Sequence, residues 1–431
     1  MTSQIEQKKV ALHTLGCRLN FSETGTIAGG FTERGYALVP FGDKADVVFI
    51  NTCTVTDQAD SSCRNLIRKA HRSSPDGQIV VAGCYAQMEA ETIAKMQGVD
   101  LVLGTQEKYK VFDFLEDAQK DIIHIDTSND FWGANTTISE GHTRAFLKIQ
   151  DGCNYICSFC IIPFARGRSR AISIHEATAK AETLAAQGFK EIILTGVNIG
   201  EYEHKSGEKL SNLLAAIDKI DGIERIRLSS VEPNTITDEL LEVMKSSPKF
   251  LDHFHVPLQS ADPEILESMR RKYTIEKYGS VISKIKDAFP EAAIGADIIT
   301  GYPGESEEQF EQTFEYLKSS PITHFHVFPF SSRKGTTAAG LEGRIQSGEK
   351  KRRVKTLIGL GEFKLAEFSR KLIGKKCSVL FERENQSGYF EGYTSNFVRV
   401  WVKSSQDLKN QIFEVLPQSF SEGHLTGELL Q

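Results

Sequence analysis

The chain has 431 residues, 40% of them hydrophobic and 25% charged, which is ordinary for a globular protein of about two or three domains. No apolar run reaches the length of a membrane span, and Met1 to Lys9 is polar without a secretory pattern, so a cytoplasmic protein with no membrane partner is expected. A net charge of −6 does not advertise a nucleic-acid binder, and eight cysteines in so long a chain suggest metal or catalysis rather than a disulfide framework.

Residues 1–127 alternate between apolar runs and helical patterns. Strands are expected at Val10–Leu15, Asp46–Asn51, Gln78–Gly83 and Leu101–Gly104, with helices over Ser22–Arg34, Asp57–His71 and Met88–Lys95. Such alternation argues for a doubly wound parallel sheet. Cys17, Cys53 and Cys84 each follow one of these strands, 36 and 31 residues apart. Open α/β sheets bind ligands past the carboxyl ends of their strands, so three loops can bring three thiolates together. A cluster with three protein ligands is expected there. Cys63, inside a helical stretch, reads as a small buried hydrophobe.

Residues 128–143 are polar and turn-rich and read as a linker, with Phe131 and Trp132 pinning it to a domain surface. A short strand, Lys148-Ile149-Gln150, then leads into Cys153, Cys157 and Cys160 in C-x3-C-x2-C spacing. A [4Fe–4S] cube takes four ligands, so three local cysteines leave one iron open for a small molecule. A structural zinc site borrowing a distant cysteine is the alternative, but such sites usually pair two cysteines with a second nearby pair. Strands at Ala145–Ile149, Glu191–Thr195, Arg225–Ser229, His253–Leu258, Ile294–Thr300 and His324–Phe328, with helices between most of them, suggest a partial (β/α)6 barrel over 144–370. The cysteine loop lies at the carboxyl end of its first strand, where such barrels work. His253/His255 and His324/His326 read as hydrogen-bonded structural pairs.

Arg333 to Lys376 carries 13 Lys or Arg against 4 acids, on a stretch with helical apolar spacing. This basic helix is expected to meet phosphates. Residues 371–431 change to short strands and read as a small all-β barrel, in which Phe390, Tyr393, Phe397 and Trp401 are either stacking platforms for bases or core. Cys377 is expected to be buried. The fold class is therefore α/β: a doubly wound parallel-sheet domain, a partial (β/α)6 barrel and a C-terminal β-barrel.

The C-x3-C-x2-C loop resembles the signature of the radical S-adenosylmethionine (SAM) enzymes. Together with Leu15-Gly16-Cys17-Arg18-Leu19-Asn20, Asn51-Thr52-Cys53 and Gly83-Cys84, it makes nearly the whole chain similar to the radical-SAM methylthiotransferases. The tail resembles that family's RNA-contacting TRAM domain, although its own charges nearly cancel. Ile50 to Thr56 and Gly83-Cys84-Tyr85-Ala86-Gln87 are similar to the branch that acts on N6-threonylcarbamoyladenosine beside the tRNA anticodon.

The resemblance implies two [4Fe–4S] clusters, on Cys17, Cys53 and Cys84 and on Cys153, Cys157 and Cys160. It also implies SAM as cofactor, with Cys153, Cys157 and Cys160 as the catalytic set. SAM contacts are expected from Phe159, Gly196, Asn198, Ser229, Glu232 and Gln259, and from the strand Asp297 to Pro303, mostly at strand ends. Arg166, Arg168 and Arg170 read either as a clamp for a carboxylate or phosphate or as surface residues. Expected partners are tRNA and an electron donor such as a flavodoxin or ferredoxin, with the chain a monomer. Competing readings are action on isopentenyladenosine or a ribosomal-protein side chain, an iron–sulfur electron carrier, and a tRNA-binding module with structural metal.

Overall fold

The computed structural model describes residues 7–116, 123–125, 131 and 143–430. Its N-terminal part is a parallel sheet of β1 (Lys9–Thr14), β2 (Ala37–Val39), β3 (Val47–Thr52), β4 (Gln78–Gly83), β5 (Leu101–Leu103) and β6 (Ile123–His124), in the order β2-β1-β3-β4-β5-β6. The connecting helices are α1 (Arg18–Glu33), α2 (Asp57–Ser73), α3 (Cys84–Met88), α4 (Ala90–Ala94) and α5 (Val111–Glu116). Successive side chains of a strand point to opposite faces. Val47 and Phe49 therefore pack on one face with Ile27 and Phe31 of α1, while Val48 and Ile50 pack on the other with Cys63 and Ile67 of α2. Helices cover both faces, so β3 is buried along its whole length.

Sequence reading misses β2 and β6, because two- and three-residue edge strands carry no periodic signal. The expected helix Met88–Lys95 corresponds to α4, and α3 is missed; the non-helical backbone of Glu89 separates the two (φ −134°, ψ 36°). Of the expected linker, Phe131 and Thr143 are described. Phe131 packs against the central core, whereas Trp132 lies outside the described residues.

Six parallel strands follow: β7 (Arg144–Lys148), β10 (Glu191–Thr195), β11 (Arg225–Leu228), β12 (His253–His255), β13 (Ala293–Thr300) and β14 (His324–Pro329). Two short strands, β8 (Gln150–Asp151) and β9 (Arg170–Ala171), pair antiparallel after β7. The helices are α6 (Ile162–Arg166), α7 (Ile174–Ala186), α8 (Leu210–Ile217), α9 (Asp238–Lys245), α10 (Pro263–Ser268), α11 (Ile275–Ala288) and α12 (Glu307–Ser319). Sheets β11-β10-β7 and β12-β13-β14 are joined by parallel bridges Ile226–Phe250 and Ser230–His255, giving six strands of a partial barrel. Two differences from expectation have local causes. The chain is not one strand through Lys148–Gln150, because β7 ends at Lys148 and β8 starts at Gln150. The strand at His253 stops after three residues, and Asp262 then caps α10 by accepting from Ile265 N at 2.9 Å.

The long helix α13 (Ser347–Arg370) leads to β15 (Cys377–Glu384), β16 (Tyr389–Thr394), β17 (Arg399–Lys403), β18 (Ile412–Ser421) and β19 (His424–Leu429), a closed barrel in the order β15-β16-β17-β19-β18. β19 was not expected; its Gly427 hides the pattern, and a Cβ there would fall 2.6 Å from Leu416 O. Phe390 and Cys377 belong to the barrel core. Tyr393 and Phe397 stack on each other at 4.8 Å and face Arg144 and Arg227 of the central barrel. The Arg225 guanidinium donates to Ser378 Oγ (2.8 Å) and Tyr393 O (3.2 Å), which fixes the tail against the amino-terminal end of β11. Two of the aromatics read as base platforms are therefore spent on domain docking. Trp401 stacks on His424 at 3.8 Å.

The basic helix is neutralised only in part, chiefly at Arg352 and Arg353. Arg353 pairs with Glu305, Glu307 and Glu349, and Arg352 with Glu307 and Glu349. The Lys364 ammonium donates to Leu317 O (2.8 Å), Lys318 O (3.1 Å) and Ser320 O at the carboxyl end of α12. Lys334, Arg344, Lys351, Lys355 and Lys371 make no ion pair among the described residues. No described helix is long and apolar enough to cross a membrane.

Candidate active site between two cysteine trios

Cys17, Cys53 and Cys84 follow β1, β3 and β4, three adjacent strands. Two glycines let the loops converge. Gly16 has φ +99°, and a Cβ on it would sit 2.6 Å from Cys53 Cβ and 2.8 Å from its Sγ. Gly83 also has φ +99°, with Asn51 Oδ1 2.5 Å from where a Cβ would lie. Asn20 Nδ2 donates to Leu15 O (2.7 Å) and Thr52 O (3.0 Å), tying the first loop to the second. Thr52 Oγ1 donates to Ala82 O (2.6 Å), tying the second to the third. Cys17 is the N-cap of α1 and Cys84 is the first residue of α3. Cys53 and Cys84 are buried and Cys17 is exposed. Burial, with Cys84 next to it, pushes the Cys53 thiol up to about 12. Cys63 is fully buried as expected, its thiol donating to Cys53 O at 3.5 Å.

Cys153, Cys157 and Cys160 sit in the loop that β8 and β9 clamp at its base. Gly152 (φ +70°) is required there, because a Cβ would meet Arg168 O at 2.0 Å. Cys153 Sγ accepts from Tyr155 N at 3.3 Å, and Cys157 Sγ accepts from Arg271 Nη1 at 3.2 Å. Arg271 is also paired with Glu232. Burial pushes Cys153 and Cys160 up to about 12, the neighbouring Cys157 adding to the rise at Cys160. Cysteine binds a metal as its thiolate, so a bound cation would displace these protons. Among the described residues no three thiol sulfurs lie all within 4.8 Å of one another. Tetrahedral zinc, with 2.3 Å bonds, holds sulfurs about 3.8 Å apart. Both trios are therefore more open than one zinc ion requires, as a larger iron–sulfur cube allows.

A cleft of about 680 Å³ opens over the second trio, lined by all three of its cysteines with Phe159, Asn198, Ser230, Glu232, Gln259 and Asp297. Both side-chain polar atoms of Asn198, and Ser229 Oγ, are buried without a partner among the described residues. Unpaired buried amides are costly, so this wall suits a polar ligand such as SAM. Phe159, Asn198, Glu232 and Gln259 line the cleft as expected, the last in a left-handed conformation (φ 66°). Gly196 and Ser229 do not; each sits one residue behind the wall, which Val197 and Ser230 form instead. Gly196 packs on β8, where a Cβ would meet Gln150 Oε1 at 2.7 Å.

A second cleft, about 760 Å³, shares Phe159, Cys160, Ile162, Gln259 and Asp297 with the first and continues to Val55 and Thr56. Those two residues lie two and three positions after Cys53. One chamber thus runs from the second trio to the loop of the first. Arg333 steadies that loop, donating to Thr54 O (3.2 Å) and to Asp60 (2.7 Å) and pairing with Asp57.

The domains meet through a buried ionic network. Glu23 of α1 holds Lys108, Lys148 (2.9 Å) and Arg166 (2.9 Å), and Asp151 holds Lys148 (2.7 Å), Arg166 (3.0 Å) and Arg170 (3.0 Å). Arg166 Nη2 also donates to Asn20 Oδ1 at 2.7 Å. Four cations face two carboxylates, and Arg166 and Lys108 draw the buried Cys84 thiol down against the rise that burial causes. That surplus fits an anionic cluster on the first trio. Arg166 is thus neither a surface residue nor a ligand clamp, since it grips Glu23; Arg168 is exposed. Sequence reading misses Glu23, Lys108 and Arg271, which meet their partners only through the fold. Lys148 at the end of an apolar strand was the one available signal.

Residues 147–317 match the Radical SAM superfamily, and residues 9–104 match the Uncharacterized protein family UPF0004. The chain is 38% identical over 418 residues to the threonylcarbamoyladenosine tRNA methylthiotransferase MtaB of Bacillus subtilis (strain 168), covering 94% of this chain and 93% of that one. It is 35% identical over 385 residues to the tRNA-2-methylthio-N(6)-dimethylallyladenosine synthase of Streptomyces viridosporus, covering 86% and 75%. Among solved structures, the radical SAM methyltransferase TsrM of Kitasatospora setae shares the fold with a TM-score of 0.53 at 14% identity, over 75% of this chain and 72% of that one. A chamber from the second cysteine trio to the loop after Cys53, with identity sustained along nearly the whole length, places the chain in the radical-SAM tRNA methylthiotransferase family.

Proposed function

We propose that the chain transfers a methylthio group to C2 of N6-threonylcarbamoyladenosine next to the anticodon of tRNA. The cofactors are those of the family, SAM and two [4Fe–4S] clusters. Cys17, Cys53 and Cys84 hold one cluster; Cys153, Cys157 and Cys160 hold the other. When bound, the second cluster with SAM supplies the one-electron chemistry that breaks an inert C–H bond, and the first supplies sulfur.

The chain's own residues bind, orient and exclude water. Asn198 offers its unpartnered amide to the polar end of SAM, and Phe159 offers a ring face to its adenine. Arg271 donates to Cys157 Sγ and fixes Glu232 at the cleft wall. Val55, Ile162, Ile299, Phe328 and Phe330 give the passage between the trios an apolar lining. The observation that carries this reading is the chamber continuous from Cys160 to the residues after Cys53. A carrier of electrons has no use for such a space.

The choice of nucleoside rests on the named activity of the Bacillus subtilis relative, and the Streptomyces relative makes dimethylallyladenosine the second reading. A flavodoxin or ferredoxin supplies the electron to a monomer in the cytoplasm. Anaerobic reconstitution with SAM, reductant and tRNA, followed by nucleoside mass spectrometry, tests the reading. The expected product is the 2-methylthio derivative of threonylcarbamoyladenosine; product only on dimethylallyladenosine replaces the substrate, and SAM cleavage without either product removes the function.

A further inference from the structure

Three adjacent strands of the central barrel each turn one ligand-type side chain toward the same point: His255 on β12, Asp297 on β13 and His326 on β14. His255 Nε2 lies 3.1 Å and His326 Nδ1 3.3 Å from the same carboxylate oxygen, Asp297 Oδ1. All three ligand atoms fall within 4.8 Å of one another, and no other group of histidine, cysteine and acidic side chains among the described residues does so. His253 and His324, two residues earlier on the same strands, pack on each other and on Phe397 instead.

The strands make room for this group and leave it open. Gly295 lies two residues before Asp297, so on the same face, and a Cβ there would come 3.3 Å from His255 Cδ2. Phe328, two residues past His326, lines the cleft that continues to Val55, and Asp297 lines both clefts. The group therefore stands on the wall of the chamber, where the two clefts join. The His326 side chain is 53% exposed and that of Asp297 24%. A hydrogen-bonded pair that open to solvent adds little stability, so packing does not account for three strands converging here. The spacing is that of ligands around one ion. With bonds of about 2.1 Å, neighbouring ligand atoms lie about 3.0 Å apart in octahedral and about 3.4 Å apart in tetrahedral geometry. His255 also has the support that a metal-bound imidazole needs: Ser230 Oγ holds its Nδ1 at 2.7 Å, which leaves Nε2 aimed at the site.

We propose that His255, Asp297 and His326 bind a divalent first-row cation such as zinc, manganese or iron(II), in a site separate from both cysteine trios. Two imidazoles and one carboxylate are a donor set that such ions accept. Three protein ligands leave at least one position open, and it faces the chamber, where water or an oxygen of a bound substrate completes the shell. The site does not depend on which nucleoside the chain modifies. It also fixes the proton on His255. With metal on Nε2, Nδ1–H donates to Ser230 Oγ; in a metal-free cluster a neutral His255 keeps its proton on Nε2 for Asp297, and Ser230 donates instead.

The test uses the full chain with both clusters reconstituted and oxidised, a state in which [4Fe–4S] cubes give no paramagnetic resonance signal. Manganese(II) is titrated in and followed by electron paramagnetic resonance, and zinc per chain is counted in a parallel sample after gel filtration. One equivalent of either cation is expected, with hyperfine coupling to two nitrogens where manganese binds. His326→Ala, at a half-exposed position, loses that equivalent and keeps its iron. Ser230→Ala weakens binding about 10–100-fold. A wild-type chain that binds neither cation overturns the inference. So does an equivalent that His326→Ala retains, which marks adventitious binding elsewhere. Manganese bound without nitrogen coupling overturns it as well, whether or not the variants fold.

Discussion

The two cysteine trios have the same number of thiols but are built differently. Cys153, Cys157 and Cys160 belong to one loop, closed at its base by the β8–β9 pair and the bare backbone of Gly152. Cys17, Cys53 and Cys84 belong to three loops that meet only because β1, β3 and β4 are neighbours in one sheet. The first arrangement is local and depends on about twenty residues. The second depends on the whole sheet, on α1, and on the ionic network that seats α1 against the central barrel. Damage to packing should therefore empty one trio before the other.

The largest expected effect is at Glu23. Replacing it with Gln leaves Lys108, Lys148 and Arg166 without their shared carboxylate and destabilises by about 3–5 kcal/mol. Urea unfolding reads that loss, and iron per chain should fall at the Cys17 trio first. A variant that unfolds at wild-type urea concentration removes the network from the account.

The network also gives a pH dependence. Burial raises the Glu23 carboxyl, but Arg166, Lys108 and Lys148 outweigh it and hold it well below the usual range. Burial likewise acts upward at Asp151, and Lys148, Arg166 and Arg170 bring it below its ordinary value. A depressed carboxyl contributes stability above its unfolded pKa, near 4 for Asp and Glu, and loses it as pH falls toward the folded value. The wild-type melting temperature should thus drop steeply below about pH 4. The Glu23→Gln chain should show a shallower drop, and parallel curves argue against the assignment.

Glycine substitutions separate the trios. Gly16→Ala places a methyl against Cys53, and Gly152→Ala places one against Arg168 O, each at positive φ and costing about 1–3 kcal/mol in strain. The former should halve the iron while sparing the C-x3-C-x2-C cluster, and the latter should do the reverse. Equal loss from both variants would erase the distinction between a local and an assembled site. At Arg271, Ala removes the donor to Cys157 Sγ and should slow SAM cleavage about 10–100-fold with iron content nearly kept.

The smallest effect concerns RNA. Lys351, Lys355 and Lys371, which have no ion pairs among the described residues, should each lower the salt slope of tRNA binding by about one when changed to Ala. Arg352→Ala, already committed to Glu307 and Glu349, should barely change it.

What the sequence discloses follows the same division. The C-x3-C-x2-C loop is legible because its spacing is local. Cys17, Cys53 and Cys84 are legible because strand periodicity places each after an apolar run. Glu23, Lys108 and Arg271 are silent: Glu23 meets Lys148 and Arg166 across a domain boundary, and Lys108 and Arg271 meet partners far off in the chain, none of which any spacing records. Basicity near α13 is overcounted for a related reason: its charge is summed along the chain, whereas Glu305 and Glu307 offset Arg352 and Arg353 from outside the helix. Aromatics in the tail mislead likewise, because Tyr393 and Phe397 look free until the barrel docks.

The central claim is that both trios carry clusters on one chamber, and the magnetic coupling between those clusters tests it most directly. Electron paramagnetic resonance of the reduced, reconstituted chain should differ from the sum of two triple variants, one lacking Cys17, Cys53 and Cys84 and the other lacking Cys153, Cys157 and Cys160. A wild-type spectrum equal to that sum, or iron content unchanged in either variant, contradicts it.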